Sequence, residues 1–205
     1  MPTLRPFRDY DEKDVINLYS YTGPVIDANY QILATKGTLV KIQGDGFRND
    51  VEPIEMLGNM GAFTVNNFVA QRYGVVPKVT VAQPADNPVG MLLFDCREWD
   101  ENQLPLKYNP RKAAEMEAAI SGQAIPIVTR GIFLYSGITT GGGVAGQTGA
   151  AVTAGSKAYL GTNGGICTTG STVVGKFLGI TGNQSTGWYA ASDSSQIALV
   201  WLNIT

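Results

Sequence analysis

Short apolar runs, cut by glycine, proline and polar clusters, set the pattern of this chain. Gly37-Thr38-Leu39-Val40-Lys41-Ile42 is a short strand-like run closed by the turn Gly44-Asp45-Gly46. Gly74 to Val81 and Val89 to Phe94 follow, divided by the stretch from Pro84 to Pro88. Ile125 to Thr129, Gly131 to Tyr135, Lys157 to Leu160, Val173 to Leu178 and Ile197 to Leu202 complete the series. Runs this short, rich in β-branched and aromatic residues and bounded by turn formers, predict strands. Many short strands at uneven spacing, with Gly-rich joins, predict a mainly β protein with a β-barrel or β-sandwich body.

One stretch has helical spacing. Asn109 offers an N-cap and Pro110 suits the first helical position, where its missing N–H costs nothing. Arg111 and Glu115 form an i,i+4 pair, Ala113, Met116 and Ile120 share a face, and Ser121-Gly122 ends the run. This predicts one short helix over about 110–121. A weaker helical pattern covers Asn67 to Tyr73.

The beginning of the chain lacks either period. Leu4-Arg5-Pro6-Phe7-Arg8 and Asp9-Tyr10-Asp11-Glu12-Lys13-Asp14 mix charge with aromatics. Val15-Ile16-Asn17-Leu18-Tyr19 is the one strand-like piece before Thr22-Gly23-Pro24 breaks the pattern. The expected organisation is an extended N-terminal arm over 1–26 and a β-rich body over 27–205. A Gly-rich loop is expected at about 137–153 within that body.

Composition narrows the function. At 205 residues the chain can bury a full core without staples. Charged residues make up 16%, below the roughly 25% usual in soluble domains. After Arg130 the only charges are Lys157, Lys176 and Asp193. So neutral a surface suits coverage by neighbours in an assembly. A net charge of -2 argues against nucleic acid and against a polybasic membrane contact. No apolar run reaches membrane-span length, and the polar start predicts no signal peptide. Histidine is absent, which removes the commonest general base and the commonest metal ligand together. Cys96 and Cys167 stand apart and predict reduced, half-buried thiols.

Candidate motifs weaken in context. Gly141-Gly142-Gly143-Val144-Ala145-Gly146 matches a dinucleotide fingerprint, but no helix pattern follows and the next acid is Asp193. Gly170 to Phe177 nearly matches a phosphate loop, yet Phe177 cannot hold magnesium and the segment looks like a strand. Without histidine, nucleophilic catalysis would need a Ser-Lys dyad, and Lys157 and Lys176 carry no such signature. The strongest enzymatic candidate is Asp95-Cys96-Arg97-Glu98-Trp99-Asp100-Glu101. Its acids could flank a glycosidic bond or hold a hard cation, with Trp99 as a sugar platform. A solvated charged loop explains the same residues more simply. No cofactor, no metal and no catalytic residue is expected.

Several segments carry a resemblance. Tyr108-Asn109-Pro110-Arg111-Lys112-Ala113-Ala114-Glu115-Met116 and the run from Ile120-Ser121-Gly122 to Thr129-Arg130-Gly131 are two of them. Leu4 to Tyr10 and Asp14 to Leu18 are others. All resemble structural proteins of marine and cyanobacterial tailed phages. Val174-Gly175-Lys176-Phe177-Leu178-Gly179 and Ala198-Leu199-Val200-Trp201-Leu202 are similar to the terminal strands of small capsid decoration (cement) proteins. The resemblance implies a virion protein made in the host cytoplasm and bound outside the shell of the major capsid protein, as a trimer or dimer.

In that setting the arm is the expected contact. Val15, Ile16, Leu18 and Tyr19 could join an exposed sheet edge. Phe7, Tyr10, Tyr19 and Tyr21 would fill apolar pockets, while Arg5 and Arg8 would seek carboxylates. Two alternatives remain. One is a glycan-binding or glycan-cleaving fibre or spike module using Trp99, Trp188 and Tyr189 with Asp95 and Glu98. The other is a self-assembling capsid or tail-tube protein.

Overall fold

A computed structural model describes residues 3–21, 34–43, 78–120, 123–138, 152–181 and 197–204. Most of the strands build two six-stranded sheets. The first contains β1 (Thr3–Asp9), β10 (Arg130–Ser136), β14 (Ile197–Asn203), β13 (Val173–Thr181), β11 (Lys157–Leu160) and β12 (Ile166–Cys167), in that spatial order. The second runs β2 (Val15–Ile16), β9 (Ile127–Val128), β6 (Gly90–Leu92), β4 (Leu39–Ile42), β5 (Lys78–Val81) and β3 (Ser20–Tyr21). A parallel pair, β7 (Asp95–Cys96) with β8 (Ala118–Ala119), stands beside them. Among the described residues neither sheet closes on itself. Of the two expected bodies, the structure is the sandwich-like one and not the barrel.

The alternation along β14 explains its placement. Ala198, Val200 and Leu202 are buried and their neighbours are half-buried, the period-two pattern of a strand with one face on a core. Phe133 and Tyr135 of β10 and Phe177 of β13 join that face. Opposite them, in the same core, lie Leu39, Met91 and Val128 of the second sheet. The next residues along those strands, Val40, Leu92 and Ile127, enter a second core with Tyr21, Val79, Cys96, Ala119 and Ile125. The centre of the second sheet is therefore buried on both faces, which is why Leu39-Val40, Met91-Leu92 and Ile127-Val128 are consecutive apolar residues.

Two glycines permit close approach. Gly175 sits opposite Leu202, and a Cβ there would run into the Trp201 carbonyl oxygen. Gly164, at φ 69°, turns the chain between β11 and β12. Its N–H donates to the Ala82 carbonyl at 2.9 Å, and a Cβ would lie 2.5 Å from the Leu39 oxygen. That turn ties the two sheets together.

Two expectations change. The helix, α1 (Pro110–Glu115), is capped as expected, with Asn109 Oδ1 accepting from the Lys112 N–H at 3.2 Å. It ends well short of residue 121. Glu117 adopts φ 48°, and Ala118–Ala119 extend to pair with β7, where burial outweighs their helical preference. The N-terminal segment is extended in conformation, but it is woven into the body. β1 pairs with β10, β2 with β9 and β3 with β5. Its periodicity is illegible because the β1 register shifts between Leu4, facing Tyr135, and Arg8, facing Phe133.

The expected helix at Asn67 to Tyr73, the turn at Gly44 to Gly46, residues 139–151 of the Gly-rich loop, Trp188 and Tyr189 lie outside the described residues. The phosphate-loop-like run enters β13 and not a helix.

Candidate interaction surface

The residues expected to grip a partner separate into three groups. Tyr21 is 2% exposed and belongs to the second core. Burial, followed by the nearby Cys96, raises its hydroxyl far above the ordinary range. Tyr21 therefore cannot anchor a neighbour, which corrects that expectation. Arg8 is half-buried and bound by Glu117. Val15 packs against the main core and Tyr19 against the second, and Ile16 is half-buried. Among the members of the set whose burial is described, Tyr10 and Leu18 are exposed, at 38% and 54%. Tyr10 also stacks on Phe133, with ring centroids 5.9 Å apart. Arg5 and Phe7 lie in β1, within its register shift. β2 is the terminal strand of its sheet, with β9 on one side.

The acidic stretch forms a hairpin after β7. The Leu106 N–H donates to the Glu98 carbonyl at 2.9 Å, and Trp99 bridges Pro105. Asp100 builds the tip, its Oδ1 accepting from the Asn102 and Leu104 N–H groups, both at 2.8 Å. This is the local side-chain-to-backbone bonding that makes aspartate a turn former. Glu101 pairs with Lys112 of α1 at 2.6 Å, and that bond holds its carboxyl below the ordinary glutamate range. Asp95 accepts from the Lys36 N–H at 2.8 Å and lies 3.4 Å from Arg97 Nε. Asp95, Asp100 and Glu101 are thus engaged in holding turns and strands, while Glu98 is exposed. Among the described residues no group of three or more His, Cys, Asp or Glu side chains is placed to hold a metal.

Around this hairpin stand Trp99, the candidate sugar platform, and two large apolar side chains that sequence patterning did not single out. Leu104 is 61% exposed and Tyr108 77%, with Trp99 at 46%. The one signal for Leu104 was its place between an Asx-type turn and Pro105. Replacing Asp100 with alanine removes both tip bonds. Stability should fall by about 1 kcal/mol, and the Asn102 and Leu104 amides should exchange about tenfold faster. Hydrogen exchange followed by NMR measures both amides directly.

Both cysteines are free and fully buried, deeper than expected. Burial, followed by the negative charge of Asp95, pushes the Cys96 thiol up to about 12. Cys167 Sγ donates to the Thr169 carbonyl at 3.0 Å. Neither thiol is poised as a nucleophile.

Fold and surface together define an open two-sheet β protein with exposed apolar side chains flanking a polar hairpin tip. No protein-family model, curated protein or solved structure matches the chain.

Proposed function

We propose that the chain is a virion structural protein, a decoration (cement) protein that binds the outer face of a tailed-phage capsid shell and stabilises it. One observation carries this. Asp95, Asp100 and Glu101 of its most enzyme-like stretch serve as fasteners, while Trp99 of that stretch, Leu104 and Tyr108 just after it, and Leu18 elsewhere, project outward. Exposed tyrosine and tryptophan beside polar groups suit a protein interface, with the leucines as apolar area around them. Such a protein needs no bond chemistry. It needs a stiff body, and many copies whose modest contacts add through linkage.

The contact set is narrower than the sequence implied. Tyr10, Leu18 and the outer side of β2 are its N-terminal part, and the hairpin crown is its second part. A trimer and a dimer both fit.

The test uses particles of the encoding phage stripped of this chain. The purified chain should scatter light as a small oligomer and pellet with the particles to a saturable ratio. Leu18→Asp should weaken pelleting while changing stability by less than about 0.5 kcal/mol, as befits a surface site. Unaided growth into shells or tubes, or a failure to pellet, overturns the proposal. Saturable binding to host polysaccharide would favour a glycan-binding module instead, a reading supported by the exposure of Trp99.

A further inference from the structure

Glu117 lies where three separate segments meet. It links α1 to β8 and holds φ 48°, a conformation uncommon for a residue with a side chain. Its Oε1 and Oε2 accept from Arg8 Nη2 at 3.2 and 3.3 Å, and Oε2 also accepts from Lys36 Nζ at 3.1 Å. Its carbonyl accepts from the Asp95 N–H at 3.0 Å. Arg8 belongs to β1, the outermost strand of the first sheet. Lys36 belongs to the turn that leads into β4 of the second. One carboxylate therefore joins the edge of one sheet to the entry of the other.

We propose that Glu117 is a clasp on the N-terminal strand, closed at neutral pH and opened by acid, whose opening frees the Arg8–Asp9 half of β1 while Leu4 and the two sheets stay packed. β1 suits such a device. It pairs only with β10 among the described residues, and its register is interrupted between Leu4 and Arg8. The Arg8–Asp9 half is a short pairing of its own, opposite Phe133 and Ile132. It opens without disturbing β13 and β14, whose pairing holds the centre of the sheet.

The charged groups around the carboxylate are Arg8 from β1, Lys36 from the turn before β4, and Asp95 from β7 with its ion partner Arg97. Burial works to raise the Glu117 carboxyl, but Lys36 and Arg8 outweigh it and hold the group below its ordinary 4.5. A folded value lowered in this way means that the clasp contributes fully above the ordinary glutamate pKa. The contribution fades as pH falls through the lower folded value. The clasp does not depend on what the chain binds.

Glu117→Asn tests it, because asparagine tolerates the left-handed conformation yet cannot reach both cations. Protection factors for backbone amides, corrected for the intrinsic rate at each pH, provide the readout. At neutral pH the variant should lose about tenfold protection in the Arg8–Asp9 half of β1 and the facing Ile132–Phe133 part of β10, with β13 and β14 unchanged. Wild type should show the same selective loss in acid, and the variant should lose no more there. Arg8→Gln, which leaves the Glu117 backbone untouched, should reproduce the pattern. Unchanged β1 protection in both variants, or an equal loss across every strand, overturns the clasp.

Discussion

Removing residues 1–21 leaves a chain that no longer unfolds cooperatively. This segment supplies a terminal strand to the first sheet and both terminal strands to the second. Leu4, 4% exposed, is part of the main core, and Tyr21, 2% exposed, is part of the other. Tyr19 and Asp14 also accept backbone bonds from Ile125 and Thr129 at 2.9 Å each. Losing one large buried side chain costs about 2–5 kcal/mol, and native domains have only about 5–15 kcal/mol in all. Two such losses, with three exposed strand edges, consume the whole margin. A thermal melt followed by circular dichroism should show a broad, early transition or none. A sharp transition at the wild-type midpoint would mean that the segment lies on the body without supporting it. Point substitutions such as Leu18→Asp are therefore the proper probes of binding by this region.

Gly175→Val should be nearly as damaging. The position is buried in β13 and flanked by β14, and the new Cβ would strike the Trp201 carbonyl oxygen. That oxygen belongs to the backbone and cannot swing aside as a side-chain tip could. Either β13 and β14 separate or their register slips, and a slip by one residue would turn Val174 and Phe177 out of the core. A loss above about 4 kcal/mol is expected, read as a large fall in the urea midpoint or as insoluble protein. Gly179→Ala in the same strand is the control. Nothing lies within 4 Å of its added Cβ. Its midpoint should stay within about 1 kcal/mol of wild type or rise slightly. Equal damage at both positions would show that strand glycine itself matters, and not the contact with β14.

Much of this architecture could be read in the amino-acid pattern. Ile197 to Leu202 reads as a strand because it is a short, uninterrupted apolar run, and the alternation that β14 shows is in its burial, one face packing on a core. Asn109-Pro110 marked the start of α1 because capping is local chemistry, set by residues a few positions apart. The end of that helix was not legible. Ala118 and Ala119 are good helix formers, and their strand is imposed by Asp95 and Cys96 alongside. The N-terminal segment was hidden for a related reason. The shift between Leu4 and Arg8 breaks the alternation, and Tyr21 enters the core through a parallel pairing with β5. Among the candidate contacts, an aromatic that anchors a neighbour and one that fills its own core carry the same letter. Only burial separates Tyr10 from Tyr21.

The order of the first sheet also constrains how the chain is born. Leu4 waits for Tyr135, and Tyr135 has its other flank covered only when Ala198 arrives. At roughly 5–20 residues per second, the opening strand spends many seconds outside the ribosome before its partner exists. Nascent copies on one crowded messenger thus hold unmatched apolar segments side by side. Slower elongation should lengthen that exposure and lower the yield of soluble protein.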